Sequence, residues 1–326
     1  MRLASYDKDH RPALGAVVDG NIVPLDTVAR SHGLNSMTDL IEQWAALEGE
    51  IRACIETSNE RESLEALDRD RRWRAPVKPQ KILALVANDT ALSSKASFIS
   101  DHPVFFSYPP SALTGHLQPI EMRASYGLTH PEPELGVVIG RRTKNISSGE
   151  AMSAVFGYTI VDDVTSPDLK AGDTVIFPLS GAEGLGGGVG REGGRPAGYE
   201  HGDYTITYHA RSKGTDTFAP CGPWIVTRDE IADPHALQFT LALNGEVVSK
   251  GNTANLRQKI PDVIAFASKY FTLEPGDLIH IGTAVGKVVP GTITLRDISY
   301  QNVDGERAIE FEGVGRLTNF VAHLPE

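Results

Sequence analysis

Residues 130–140 read HPEPELGVVIG. Leu135 to Ile139 form a nearly continuous apolar run, the pattern of a strand buried on both faces. Glu132 and Glu134 stand two apart directly ahead of it. In an extended chain that spacing sets both carboxylates on one face. Like charges side by side at the mouth of a core strand repel unless a cation lies between them. Hard oxygen donors of this kind suit magnesium or manganese. Taken alone, a Glu-x-Glu pair is common, and a pair of solvated glutamates on a strand end is the plainer reading.

Working outward, Phe156 to Val161 reads as a second buried strand, and it closes in Asp162 and Asp163. Adjacent strand residues point to opposite faces, so only one of these carboxylates joins the glutamates. By itself, Asp-Asp followed by Ser-Pro-Asp is also ordinary turn chemistry. Further apolar runs predict strands at Ile82–Val86, Phe218–Val226, Phe239–Leu243, Leu278–Ile281, Thr292–Leu295 and Ile309–Phe311. One helix is clear, opened by Pro261 and carrying Val263, Ile264, Phe266, Ala267 and Phe271 on one face. Strands without regularly interleaved helices argue against a doubly wound sheet. The expected class is α+β and β-rich.

The first 34 residues alternate in short runs broken by Asp, Gly and Pro, which predicts a small antiparallel sheet. Ser36 caps an expected helix with Leu40, Ile41, Trp44, Leu47, Ile51, Cys54 and Ile55 at helical spacing. Asn59 to Arg74 reads as a second helix or a solvated linker, and Pro76 and Pro79 then punctuate the chain. The expected division is a small accessory domain over 1–77 and a larger domain over 78–326. Within the latter, residues 180–198 (SGAEGLGGGVGREGGRPAG) are glycine-dense, without a dinucleotide fingerprint in register or a following Gly-Lys-Ser/Thr. They read as a surface loop, with a lid over a pocket as the alternative.

The 326 residues carry a formal net charge of −11, which disfavours nucleic acid and anionic lipid as partners. The two cysteines, Cys54 and Cys221, show no metal spacing, and Cys54 falls on the apolar stripe of the expected helix as a buried thiol. The N-terminal residues lack the apolar core of a signal peptide, and no apolar run approaches membrane-spanning length. A cytoplasmic location is the expectation.

The order of the motifs adds what no single one carries. The chain runs from the ELGVVIG strand through GYTIVDDVT to KGTDTFAPCGPW, then Asn-Gly-Glu, Gly-Asn-Thr, Leu-Glu-Pro-Gly-Asp, Ile-Gly-Thr and a closing FEGVGRLTNFV. From about Lys81 to the end this set resembles the fumarylacetoacetate hydrolase family. The resemblance implies a mixed β-sheet roll or distorted barrel behind a small N-terminal α+β domain, and a homodimer. It also implies a Mg²⁺ or Mn²⁺ ion held by Glu132, Glu134 and Asp163, with Lys213 beside the metal and substrate and Thr283 on a substrate oxygen. Read without the resemblance, Lys213 is a loop lysine and Thr283 a turn residue. The chemistry implied is cleavage of a C–C bond in a small 2-oxo or 1,3-dicarbonyl acid of acylpyruvate type. A bound cation stabilises the enolate there, and Lys213 adds positive charge where an oxyanion develops.

The chain departs from the family at reacting positions. Relatives resembling it carry Asn-Tyr and then a helix bearing His and Glu, which activate water. In VANDTALSSK (86–95) Asn88 is kept, Asp89 replaces Tyr, and Leu92 and Lys95 stand at the His and Glu places. Leucine accepts no proton, and Leu92 is expected in packing. Pro167 and Lys170 fall where an Arg and a Gln are usual, and Lys170 is the candidate grip on a substrate carboxylate. Tyr108, a further candidate for substrate binding, stands where a lysine is expected, and Ala284 where a proline is. His102, His116 and His130 are candidates for a replacement base, each reading otherwise as an ordinary imidazole. His130 is favoured by its place two residues before Glu132. Two alternatives stand beside hydrolysis. One is a lyase or isomerase (decarboxylase, tautomerase or 2-keto-3-deoxy acid dehydratase), which needs no attacking water. The other is a non-catalytic metal- and ligand-binding homologue.

Overall fold

The computed structural model describes residues 1–96, 99–177, 204–284 and 295–326. The glycine-dense segment 180–198 and most of the expected strand Thr292–Leu295 lie outside these residues, and Leu295 opens a 3₁₀ turn, Leu295–Asp297.

The architecture is β-rich α+β. Pro133–Ile139 and Val155–Asp162, buried along their whole lengths, pair antiparallel at the centre of the largest sheet. On one side follow Leu278–Thr283, Ile82–Leu85 and Phe105–Tyr108. On the other follow Ala219–Thr227 and then the N-terminal strands Arg2–Lys8, Arg11–Val18 and Asn21–Pro24. The expected N-terminal antiparallel sheet is present, and Arg2–Lys8 hydrogen-bonds it onto Ala219–Thr227. A second sheet joins Glu246–Asn252, Gln238–Leu243, Glu306–Phe311, Gly315–His323 and Pro119–Met122. Neither sheet closes into a barrel among the described residues.

Alternation along the central strands divides the core in two. Leu135, Val137 and Ile139 face the second sheet and the helix Ile260–Tyr270, against Ile264, Phe239, Ile309 and Leu317. Val138, Val161 and Leu278 face the other way, toward Leu40, Leu47 and Ile51. Each such side chain, moved out of water, stabilises the fold by about 1.5–3 kcal/mol.

The expected helix after Ser36 is present in two pieces, Met37–Glu42 and Trp44–Thr57, interrupted at Gln43 (φ −98°, ψ 5°). Ser36 does cap the first piece, accepting the Asp39 N–H at 3.2 Å. Cys54 is only partly buried, packed beside Trp44 and Ile55 against the cluster that takes in Leu47 and Ile51. The stretch Asn59 to Arg74 contains one short helix, Leu64–Arg69.

Candidate metal and active site

Three strand ends meet at one edge of the large sheet. Glu134 is the second residue of the strand Pro133–Ile139, and its partner across the ladder, Val161, stands two residues before Asp163. The backbone pairing runs on past the strands: Asp163 N–H donates to the Glu132 carbonyl at 2.9 Å, and His130 exchanges two hydrogen bonds with Thr165. Thr283, closing Leu278–Thr283, lies opposite Glu134 on its other side. Alternation separates the two aspartates as expected. Asp163 joins the glutamates, while Asp162 turns to the opposite face, accepting the Tyr300 hydroxyl at 2.5 Å and the Glu132 N–H at 2.9 Å.

Lys213 enters from the short helix Ala210–Gly214, and its buried ammonium lies 2.7 Å from Asp163 Oδ2 and 3.1 Å from Glu132 Oε2. Its position is therefore inside the carboxylate group rather than on a loop surface. Tyr108 donates its hydroxyl to Asp163 Oδ1, so this side chain orients a carboxylate. Glu134 accepts from Gly282 N–H at 3.0 Å and from the Thr283 hydroxyl at 3.3 Å. Gly282 reaches that position with φ +91°, and a Cβ there would come within 2.7 Å of Asn88 Cβ. Asn88 in turn fastens the neighbouring segments, donating to the carbonyls of Ile281 (2.7 Å) and Gln258 (3.1 Å).

The charges do not balance. Burial pushes the Glu134 carboxyl well above its usual range, and the nearby Asp163 carboxylate adds to the rise. Burial also raises Asp163, against the opposing pull of Lys213. Burial works against the charged form of Glu132 too, but Lys213 and His130 outweigh it and hold that carboxyl down at about 2. Burial opposes the charge on Lys213, yet Asp163, Glu132 and Glu134 together raise its pKa. Two buried carboxylates and a partly buried third thus share one ammonium among the described residues, an arrangement that a divalent cation with oxygen ligands would complete.

The compact donor group within this cluster is Glu134, Asp163 and His280, which each offer a ligand atom within 4.8 Å of the others. Glu132 stands apart from that group, tied to Lys213 and, through Oε1 at 3.2 Å, to His130 Nε2. His280 was not singled out from sequence, where Leu278–Ile281 reads as an apolar strand. An imidazole inside such a run was the available signal. Burial, followed by the Lys213 charge, pushes it down to about 3, so the ring is neutral. His209, one turn before Lys213, was also missed; its ring lies 5.2 Å from that of Phe106.

Lys170, on the helix Pro167–Gly172, is near enough that burial, then the Lys213 and Arg296 charges, depress its pKa. His102 stacks on Phe266, and His116 accepts the Thr318 N–H, so neither is held at the carboxylates. The expectation for Leu92 is overturned. Asp89 caps the four-residue helix Thr90–Ser93 through the Leu92 N–H, turning Ser93 inward and leaving Leu92 41% exposed. Lys95 is exposed as well.

The fumarylacetoacetate (FAA) hydrolase C-terminal family model matches residues 81–322. Oxaloacetate tautomerase FAHD2A, a mitochondrial protein of Bos taurus, is 30% identical over 292 residues, spanning 88% of this chain and 82% of that one. The 2,4-didehydro-3-deoxy-L-rhamnonate hydrolase of Sphingomonas sp. SKA58 is 33% identical over 227 residues, 69% of this chain and 68% of that one. Among solved structures, maleylpyruvate hydrolase from Sphingobium sp. SYK-6, in complex with manganese(II) ion and pyruvate, is similar over 99% of both chains, at TM-score 0.71 and 28% identity.

Proposed function

The chain belongs to the fumarylacetoacetate hydrolase family, a family of enzymes, and we propose that it is a divalent-cation-dependent hydrolase cleaving a C–C bond in an acylpyruvate-like acid. The observation that carries this reading is the carboxylate set, buried Glu134 and Asp163 with partly buried Glu132, gathered around the ammonium of Lys213. Glu132, Glu134 and Asp163 would hold the Mg²⁺ or Mn²⁺. When bound, the cation supplies a Lewis acid that polarises the 2-oxo group of the substrate.

The chain's own groups supply the rest. Lys213 presents positive charge to the oxygen on which negative charge develops, in a buried setting where such charge acts strongly. Lys170, near enough to Lys213 and Arg296 to feel their charges, attracts the substrate carboxylate. Thr283 shares its hydroxyl between Glu134 and a substrate oxygen, and Tyr108 keeps Asp163 in place. His130, with Nε2 against Glu132, takes the proton from the attacking water. The names of two similar proteins, a rhamnonate-derivative hydrolase and a maleylpyruvate hydrolase, support this chemistry. A homodimer in the cytoplasm belongs to the same reading.

One observation favours a second reading. Leu92 and Lys95 stand at the His and Glu places and are both exposed; leucine accepts no proton and a charged lysine is no base, so that helix supplies no water-activating pair. Tautomerisation of a 2-oxo acid needs no attacking water, and the similar bovine protein is named a tautomerase. A panel of acylpyruvates and 2-oxo acids, assayed with Mn²⁺ or Mg²⁺, separates the two. Metal-dependent release of pyruvate supports hydrolysis. Enol–keto interconversion without cleavage selects tautomerisation. Turnover of none of them with either metal overturns both.

A further inference from the structure

His280 is completely buried, and neither of its ring nitrogens has a hydrogen-bond partner among the described residues. Buried polar groups are almost always satisfied, so an imidazole with two idle nitrogens needs a physical reason. Its sheet neighbours provide no partner: Gly136 stands across the ladder on one side and Ala84 on the other. The Tyr108 ring lies 5.3 Å away, but its hydroxyl is spent on Asp163. What His280 does face is acidic. One of its nitrogens lies within 4.8 Å of a carboxylate oxygen of both Glu134 and Asp163.

We propose that His280 is a nitrogen ligand to the same cation as Glu134 and Asp163, giving a mixed nitrogen and oxygen centre that selects Mn²⁺ over Mg²⁺. The inference rests on the reading that the carboxylates hold a divalent cation, and it goes beyond an all-oxygen site. Magnesium takes oxygen ligands almost exclusively, whereas imidazole suits first-row transition ions. The two carboxylates are already oriented for the task, Glu134 by Gly282 and Thr283, Asp163 by Tyr108. His280 is fixed by strand pairing on both sides, so its ring needs no loop movement to reach them.

Electron spin echo spectroscopy of the full chain loaded with Mn²⁺ tests this directly, because a coordinated imidazole nitrogen modulates the echo. The expected result is nitrogen modulation in the wild type and its loss in His280→Leu and His280→Gln. The glutamine variant keeps a polar side chain should leucine prevent folding. In the same variants the preference for Mn²⁺ over Mg²⁺, read from metal-induced shifts in thermal unfolding, falls by about tenfold or more. Bound Mn²⁺ without nitrogen modulation, or modulation that persists in both variants, overturns the inference and leaves the carboxylate site standing. A wild type that binds no Mn²⁺ overturns the carboxylate reading and this inference with it.

Discussion

Thr283 and Glu134 are partners across the sheet, and the Thr283 hydroxyl donates to Glu134 Oε1 at 3.3 Å while the adjacent Gly282 N–H holds Oε2 at 3.0 Å. A carboxylate gripped on both oxygens from one strand end has its direction set before any cation arrives. That rigidity gives the site its predictions.

Glu134→Gln keeps the shape and removes the charge. In wild-type protein a cation at a hundredfold excess over its dissociation constant stabilises the native state by about 2.7 kcal/mol. The variant should fold and show little of that response. Thermal unfolding of metal-stripped protein with and without Mn²⁺ measures it, and a full wild-type shift in the variant would remove Glu134 from the ligand set.

Lys213→Met takes the ammonium out of the acidic group. Turnover should fall by about 10² to 10³, the usual loss when a group that meets developing negative charge is removed. Cation binding should be retained or strengthened, because a competing positive charge has gone. Steady-state kinetics beside a metal titration decide it; unchanged kcat/KM would relegate Lys213 to structure.

Gly282→Ala puts a side chain on a residue at φ +91° and against Asn88. The strain should cost about 1–3 kcal/mol of stability, seen as a lower denaturant midpoint at constant slope. The cation response should weaken alongside, since the displaced N–H holds Glu134. A variant of wild-type stability would mean that the turn relaxes freely.

Leu92→Ala should change stability by no more than about 0.5 kcal/mol, the ordinary range for an exposed position. Chemical denaturation checks this, and a loss of 2 kcal/mol or more, of the order seen when a core leucine is truncated, would show that the side chain is packed.

The last case also shows where the sequence could be read and where it could not. Long apolar runs such as Leu135–Ile139 announced their strands because burial on both faces leaves no other composition. The separation of Asp162 from Asp163 followed from strand alternation alone. Leu92 was misread because a four-residue helix buries whichever side its cap selects, and Asp89 sets that rotation. Gln43 interrupts a helix whose apolar spacing runs through it unbroken. The place of Lys213 within the carboxylates, and of His280 beneath them, depends on pairings between distant strands that local pattern does not encode.

Those same pairings set a timetable for the chain. Glu134 is made early, but both of its donors come from residues 282 and 283, and the strand bearing them lies between partners at 82–85 and 133–139. A nascent chain therefore carries its acidic residues past the ribosome long before it can orient them. Under the proposed reading, tight cation capture would report that synthesis has run to Thr283 and that the distant strands have found each other, so the ion would witness completed folding as well as take part in chemistry.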